Sequence, residues 1–262
     1  AVSNAIMQRR AVNFTNVRKN RTNSKRKPMP WDLENFDFTY AWQDQKISGS
    51  QFEYNNTFSH RGSLGYSYAP TMKYWEPFRK SKHLKSKWAK LIKEFNFTLL
   101  PKQFTFRTEL FREFNEMKFR NNTDYELLIE PTFRKNYTWN RTYNFAYSPF
   151  KSFNITFNAV NNGRVDEPEG KIDSKVKRDS INTNLGRLGR TVHYTHNLNV
   201  TYSLPFSKFP LTDWITANVG YAASFDYQAG QLLLNPVTNK LEKPWGNTIS
   251  NSNNINIQGQ LN

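Results

Sequence analysis

Along much of this chain a large apolar side chain and a small polar one take turns. In WDLENFDFTYAW (31–42), Phe36, Phe38, Tyr40 and Trp42 occupy every second position, separated by Asp37, Thr39 and Ala41. Side chains of a β-strand point alternately to its two faces, so the spacing predicts a strand over 36–46 with one aromatic face. Phe52, Tyr54 and Phe58 mark a second strand and Leu64, Tyr66 and Tyr68 a third, with HRGS as the turn between them. Phe95, Phe97 and Leu99 alternate up to Pro101, and Phe104 and Phe106 resume after it. The clearest run spans 137–148, where Tyr137, Trp139, Tyr143, Phe145 and Tyr147 oppose Thr138, Asn140, Thr142, Asn144 and Ser148. Phe153, Ile155 and Phe157 then oppose Asn154, Thr156 and Asn158. Two long runs follow, from Val192 to Leu204 and from Ile215 to Tyr227. About ten strands result, many reaching the ~9–11 residues that cross a bilayer, against ~5–6 for an ordinary strand.

Three segments break the period. Residues 1–30 are basic and aperiodic up to Pro28 and Pro30, which predicts a loop or extended segment. In 81–95, Leu84, Trp88, Leu91, Ile92 and Phe95 recur at helical spacing among lysines. That predicts a short amphipathic helix with Ser81 as N-cap, capping a sheet or resting on lipid. Residues 161–190 are polar and charged, and are read as a long loop.

Composition narrows the fold. Apolar residues make up 37% of the chain and aromatics 16%, where ordinary domains hold ~45–50% apolar residues. Aliphatic core is scarce, and 32 asparagines favour loops and polar strand faces. Asn-x-Thr triplets recur, among them at Asn13, Asn136, Asn140, Asn154 and Asn199. They are read as polar strand faces rather than glycosylation sites. With no cysteine there are no disulfides or thiolate sites. No apolar run of ~18 residues provides a membrane helix. The amino end is no signal peptide and begins without Met, which suggests part of a longer chain.

Catalytic signatures are absent: no nucleophile elbow, phosphate-binding glycine loop or HExxH occurs. No enzyme, cofactor or metal is expected. His193 and His196, three apart on a strand, fall on opposite faces. Asp166, Glu167 and Glu169 suit a charged turn as well as calcium. The net charge of +16 gathers in 9–27, 73–93 and 171–190. Nucleic acid is not the expected partner, because single-strand binders need a few stacking aromatics beside cations rather than aromatic faces on most strands.

These patterns predict an all-β chain: an antiparallel transmembrane β-barrel segment with one short helix and long polar loops. Phe36, Phe38, Tyr40, Trp42, Tyr143, Phe145, Tyr147, Tyr221 and Phe225 are the candidate lipid-facing residues. Asn140, Asn144, Asn154, Asn158, Asn197 and Asn199 are the candidate lumen-facing ones. Arg141 falls on the aromatic face, so it is expected near or beyond a membrane edge.

Longer words in the sequence carry a resemblance. NVRKNR (16–21), KPMPWDLENFDFTYAW (27–42), EPFRKSKHLKSKWAKLIKEFNFTLLPKQFTFRTELFREFNE (76–116), NNGRVDEPEG (161–170) and LGRTVHYTHNLNVTYSLPFSKFPLTDW resemble the carboxy-terminal part of the SprA/Sov family. The likeness runs over most of 16–230. It implies a very large outer-membrane barrel, the translocon of the bacterial type IX secretion system, which serves gliding motility and protein export to the cell surface. It also implies a PorV-type shuttle barrel, a periplasmic plug protein and cargo with C-terminal signal domains as partners, with outer-membrane lipid around the wall. The expected function is a passive conduit for folded cargo. A smaller porin or receptor barrel is the first alternative, and a soluble β-module binding nucleic acid the second.

Overall fold

The computed structural model describes residues 5–22, 27–81, 86–123, 125, 128–238 and 240–261. The strands are β1 (Ile6–Val17), β2 (Phe36–Ser48), β3 (Phe52–Tyr68), β4 (Gln103–Phe119), β5 (Thr132–Phe150), β6 (Phe153–Arg164), β7 (Arg190–Leu204), β8 (Ile215–Gln228), β9 (Leu233–Asn235), β10 (Lys240–Glu242) and β11 (Thr248–Leu261). Two helices, α1 (Lys90–Lys93) and α2 (Lys175–Gly186), lie in connections. Nine strands form one sheet in the order β1-β2-β3-β4-β5-β6-β7-β8-β11, while β9 and β10 make a separate hairpin. Every neighbouring pair is antiparallel. The sheet is an open meander, not closed into a barrel. Its strands run from 12 to 19 residues.

Among the described residues no second layer covers the whole sheet. Among the described residues the buried apolar side chains are Tyr68, Ala159, Val165, Ile181 and Ala217. The chain exposes 18771 Å², whereas a compact monomer of its mass exposes about 12,000 Å².

Several elements differ from the sequence reading. The second and third strands are one, because HRGS runs straight through β3: His60 pairs with Trp42 and Gly62 with Tyr40. The basic amino segment contains β1, whose alternation is blurred by Gln8 and Arg10. Asn16, in a left-handed conformation (φ 52°), makes a bulge that ends β1, and its N–H donates to Thr39 Oγ1. The loop read over 161–190 begins as the end of β6 and contains α2, capped by the Ser174 hydroxyl. Over 81–95 the described helix is limited to one 3₁₀ turn and α1, with Ser81 outside both. Leu84 and Lys82 lie outside the described residues. The helical spacing yields to ring packing: Phe95 and Phe97 both pack tilted rings against Phe150, and Phe97 pairs with Trp75 as extended chain.

Candidate membrane face and basic rim

Register decides which side chains share a face, since directly paired residues point the same way. One row runs Phe36–Tyr66–Phe106–Tyr143–Ala159–His196–Phe225 from β2 to β8. The row beyond Phe145 runs Tyr147–Ile155–Val200–Tyr221–Ile255. All nine candidate lipid-facing residues therefore lie on one face, continuous across the sheet. All six candidate asparagines lie on the other, where Asn144, Asn158, Asn197, Ser224 and Ser252 form a single polar row. Thr15 donates to Asn13 there, so this Asn-x-Thr triplet shares one polar strand face. His193 and His196 fall on opposite faces: His193 meets Asp226 at 2.8 Å, and His196 stacks on Phe225.

The aromatic face is a slanted band. Towards the end where β3 begins, the first charged, amide or imidazole side chains beyond the band are Arg10, Asp44, His60, Arg112, Arg141, Asn161 and His196 on β1 to β7. Arg10 shares the cross-strand row of Lys135, and His196 shares that of Tyr143. The boundary thus moves about eight residues over six strand steps. With ~3.3 Å per residue and ~4.8 Å between strands, the band lies at about 42° to the perpendicular of the strands. Strands of membrane barrels tilt by ~35–45°. Arg141 sits on this boundary, its guanidinium donating to Asn161 Oδ1 and the Leu188 carbonyl and lying 5.5 Å from the Trp139 ring centroid.

Beyond the boundary the connection after β6 folds back onto the same face. Arg112 donates to Glu167 at 2.6 Å and lies over the Tyr137 ring, and Lys135 donates to the Pro168 carbonyl. Asp166 takes two bonds from Arg190. Asp166 and Glu167, weighed as calcium ligands, are thus paired with arginines, and the described residues hold no group of three or more metal-ligating side chains. Gly189 (φ +68°) turns the chain out of α2 where a Cβ would lie 2.9 Å from the Arg164 carbonyl. The preceding Leu188, also left-handed, aims its carbonyl at Arg141.

No family model matches the chain, and no curated protein does. The site must be read from its own geometry.

Charge is divided between the two ends of the sheet. Connections 18–35, 69–102, 151–152 and 205–214, at the end where β2 begins, carry 17 Lys and Arg against 5 Asp and Glu. Those at the other end, 49–51, 120–131, 165–189 and 229–247, carry 8 against 9. The basic end also holds Trp31, Trp75, Trp88 and Trp214, all exposed. There the β3–β4 connection continues as a distorted hairpin joined by the Trp75–Phe97 bridge. Its tip reaches across to the β7–β8 turn, where Glu94 pairs with Lys208 and Lys90 donates to the Ser207 carbonyl. Glu76 is held between Lys151 and Arg79, which keep its carboxyl below the ordinary value, Lys151 more strongly. Sequence reasoning had marked the 73–93 lysines but not Lys151 or Lys208, which only the fold brings beside them.

Proposed function

We propose that this chain is a stretch of wall of a large outer-membrane β-barrel, a passive conduit for protein cargo. The observation that carries the reading is the single aromatic band, unbroken across the sheet and slanted by the tilt of a membrane barrel strand. Hydrocarbon explains why so much aromatic surface has no protein layer over it. The opposite face suits water: Asn, Thr and Ser hydrogen-bond to one another and offer a passing protein little to adhere to. Arg141 then sits at the membrane boundary, where arginine costs ~0–1 kcal/mol rather than the ~2–4 kcal/mol of the midplane.

A large circumference is supported by the edges of the sheet. Every residue of β1 and of β11 is exposed, and both strands leave one row of backbone donors and acceptors unpaired. Open edges are not viable in lipid, so further strands are expected on both sides. Within this reading the SprA/Sov resemblance assigns the conduit to type IX secretion and gliding motility at the bacterial cell surface. It assigns gating to a PorV-type shuttle and a periplasmic plug.

Single cysteines test the reading, since the chain has none of its own. Cysteine at Asn144, Asn158 or Asn197 should react with a water-soluble maleimide in intact membranes. Cysteine at Phe145, Tyr147 or Tyr221 should react only after detergent solubilisation. Equal labelling of both sets without detergent, or recovery of a soluble monomer, sinks the proposal.

A further inference from the structure

A cavity of about 1250 Å³ lies at the basic end, between the β3–β4 hairpin and the β5–β6 and β7–β8 turns. Its rim carries Arg79, Lys90, Lys93, Lys151 and Lys208 against Glu76 and Glu94. The floor is apolar: Leu91, Phe95, Phe150, Phe153, Tyr202 and Leu204. Phe153, Tyr202 and Leu204 belong to the aromatic face, Phe153 paired directly with Tyr202. The cavity therefore joins a cationic rim to the end of the band read above as lipid-facing.

Two features of the rim look unfinished without an anion. The fold brings Lys90 and Lys208 together through Ser207, and burial, followed by the nearby Lys90, pushes the Lys208 ammonium below its ordinary value. Glu94 and Glu76 neutralise only part of five cations. Trp75, Trp88 and Trp214 around the same end are the amphipathic residues that settle at lipid headgroups. A soluble phosphate would leave the aromatic floor wet. A nucleic acid would need free ring faces, whereas Phe150 packs against the tilted rings of both Phe95 and Phe97.

We infer that this cavity seats the phosphate headgroup of an anionic membrane lipid, its acyl chains running onto Phe153, Tyr202 and Leu204. The inference rests on the membrane reading and adds to it a defined lipid site at the basic end. Charge-assisted hydrogen bonds from lysine and arginine would hold the phosphate, while the chains continue the bilayer surface.

Native mass spectrometry of the intact barrel that contains this sheet, reconstituted in neutral phosphatidylcholine and then offered phosphatidate, tests it. Phosphatidate should be retained through detergent removal while phosphatidylcholine is lost. The double variant Lys90→Gln/Lys93→Gln, which breaks no ion pair described here, should retain it at least about tenfold more weakly. The variant Lys73→Gln/Lys102→Gln removes the same charge outside the cavity, and should retain it as the parent does. Equal weakening by both variants would mean a diffuse basic surface and overturn the site. Inorganic phosphate displacing phosphatidate at equal concentration would also overturn it, as would equal retention of the neutral lipid. Circular dichroism of both variants checks that the sheet is intact. An intact protein that fails to enter even neutral bilayers refutes the membrane reading itself, whereas one that enters but shows no headgroup preference refutes only this inference.

Discussion

Asn199 and Val200 are neighbours on β7 and point to opposite faces, which makes them a matched pair for a direct test. Arginine at either site meets the same strand and the same neighbours in sequence, and the loss of valine's strand propensity adds at most ~1 kcal/mol to the Val200 arm. Val200 lies in the row Tyr147–Ile155–Val200–Tyr221–Ile255, well inside the aromatic band. Asn199 is exposed on the polar face, opposite Thr156 and Ala222. If the band is immersed in hydrocarbon, Val200→Arg should cost ~2–4 kcal/mol, which lowers the folding equilibrium about 30- to 700-fold. Asn199→Arg should stay within ~0.5 kcal/mol, the usual effect of an exposed substitution. Urea titration of the intact barrel in phospholipid vesicles, followed by tryptophan fluorescence, measures both. Equal costs, or a larger cost at Asn199, would refute the assignment of the faces.

Other perturbations probe single contacts. A Cβ at Gly65 would lie 2.1 Å from Asp37 Oδ1, so Gly65→Ala should expel the carboxylate from its 2.9 Å pair with Arg107. The pair is partly solvated and should be worth at most ~1 kcal/mol. In an Asp37→Ala background the same glycine substitution should lose this penalty, which a double-mutant cycle reads directly. Arg141→Leu should cost no more than ~1 kcal/mol by urea titration, because the side chain sits at the band's boundary rather than within it. The Glu76 carboxyl is held below its ordinary value, so its contribution is complete above the unfolded-state value near 4.5 and is lost as the pH falls through the lower folded value. Hydrogen exchange at the amides of Trp75 and Phe97 should accelerate below about pH 4, and Glu76→Gln should remove that pH dependence.

The faces were legible wherever each met one kind of surroundings over several residues. Residues 142–148 and 197–204 alternate because the aromatic band and the polar face run unbroken along them, and Tyr137, Trp139 and Tyr194 carry the period on past the boundary. β1 and the end of β6 were not legible, and the cause is the slant. Gln8, Arg10 and Asn161 lie at or past the boundary, where polar side chains enter the aromatic face too and the period of two fades. β11 was missed for a related reason: between Ile249 and Ile255 the aromatic face carries Asn251 and Asn253. α2 buries only Ile181, so KVKRDSINTNLG shows no apolar stripe at helical spacing. The cavity was hidden more deeply still, since Lys90, Lys151 and Lys208 are far apart in sequence and meet only through the leaning hairpin.

The meander also bears on how such a wall could change over generations. Each strand of the sheet pairs with the one before it in the sheet order, and among the described residues no core side chain links distant strands across a second layer. Duplicating or deleting one hairpin would therefore leave every other pairing intact. A globular domain that gained two strands would have to repack its interior. A surface of this design can instead widen by simple repetition, provided each new hairpin keeps its aromatics stepped by about 1.3 residues from its neighbour. If the sheet is the wall of a conduit, as proposed, aperture becomes a heritable length, adjustable to the bulk of whatever passes through.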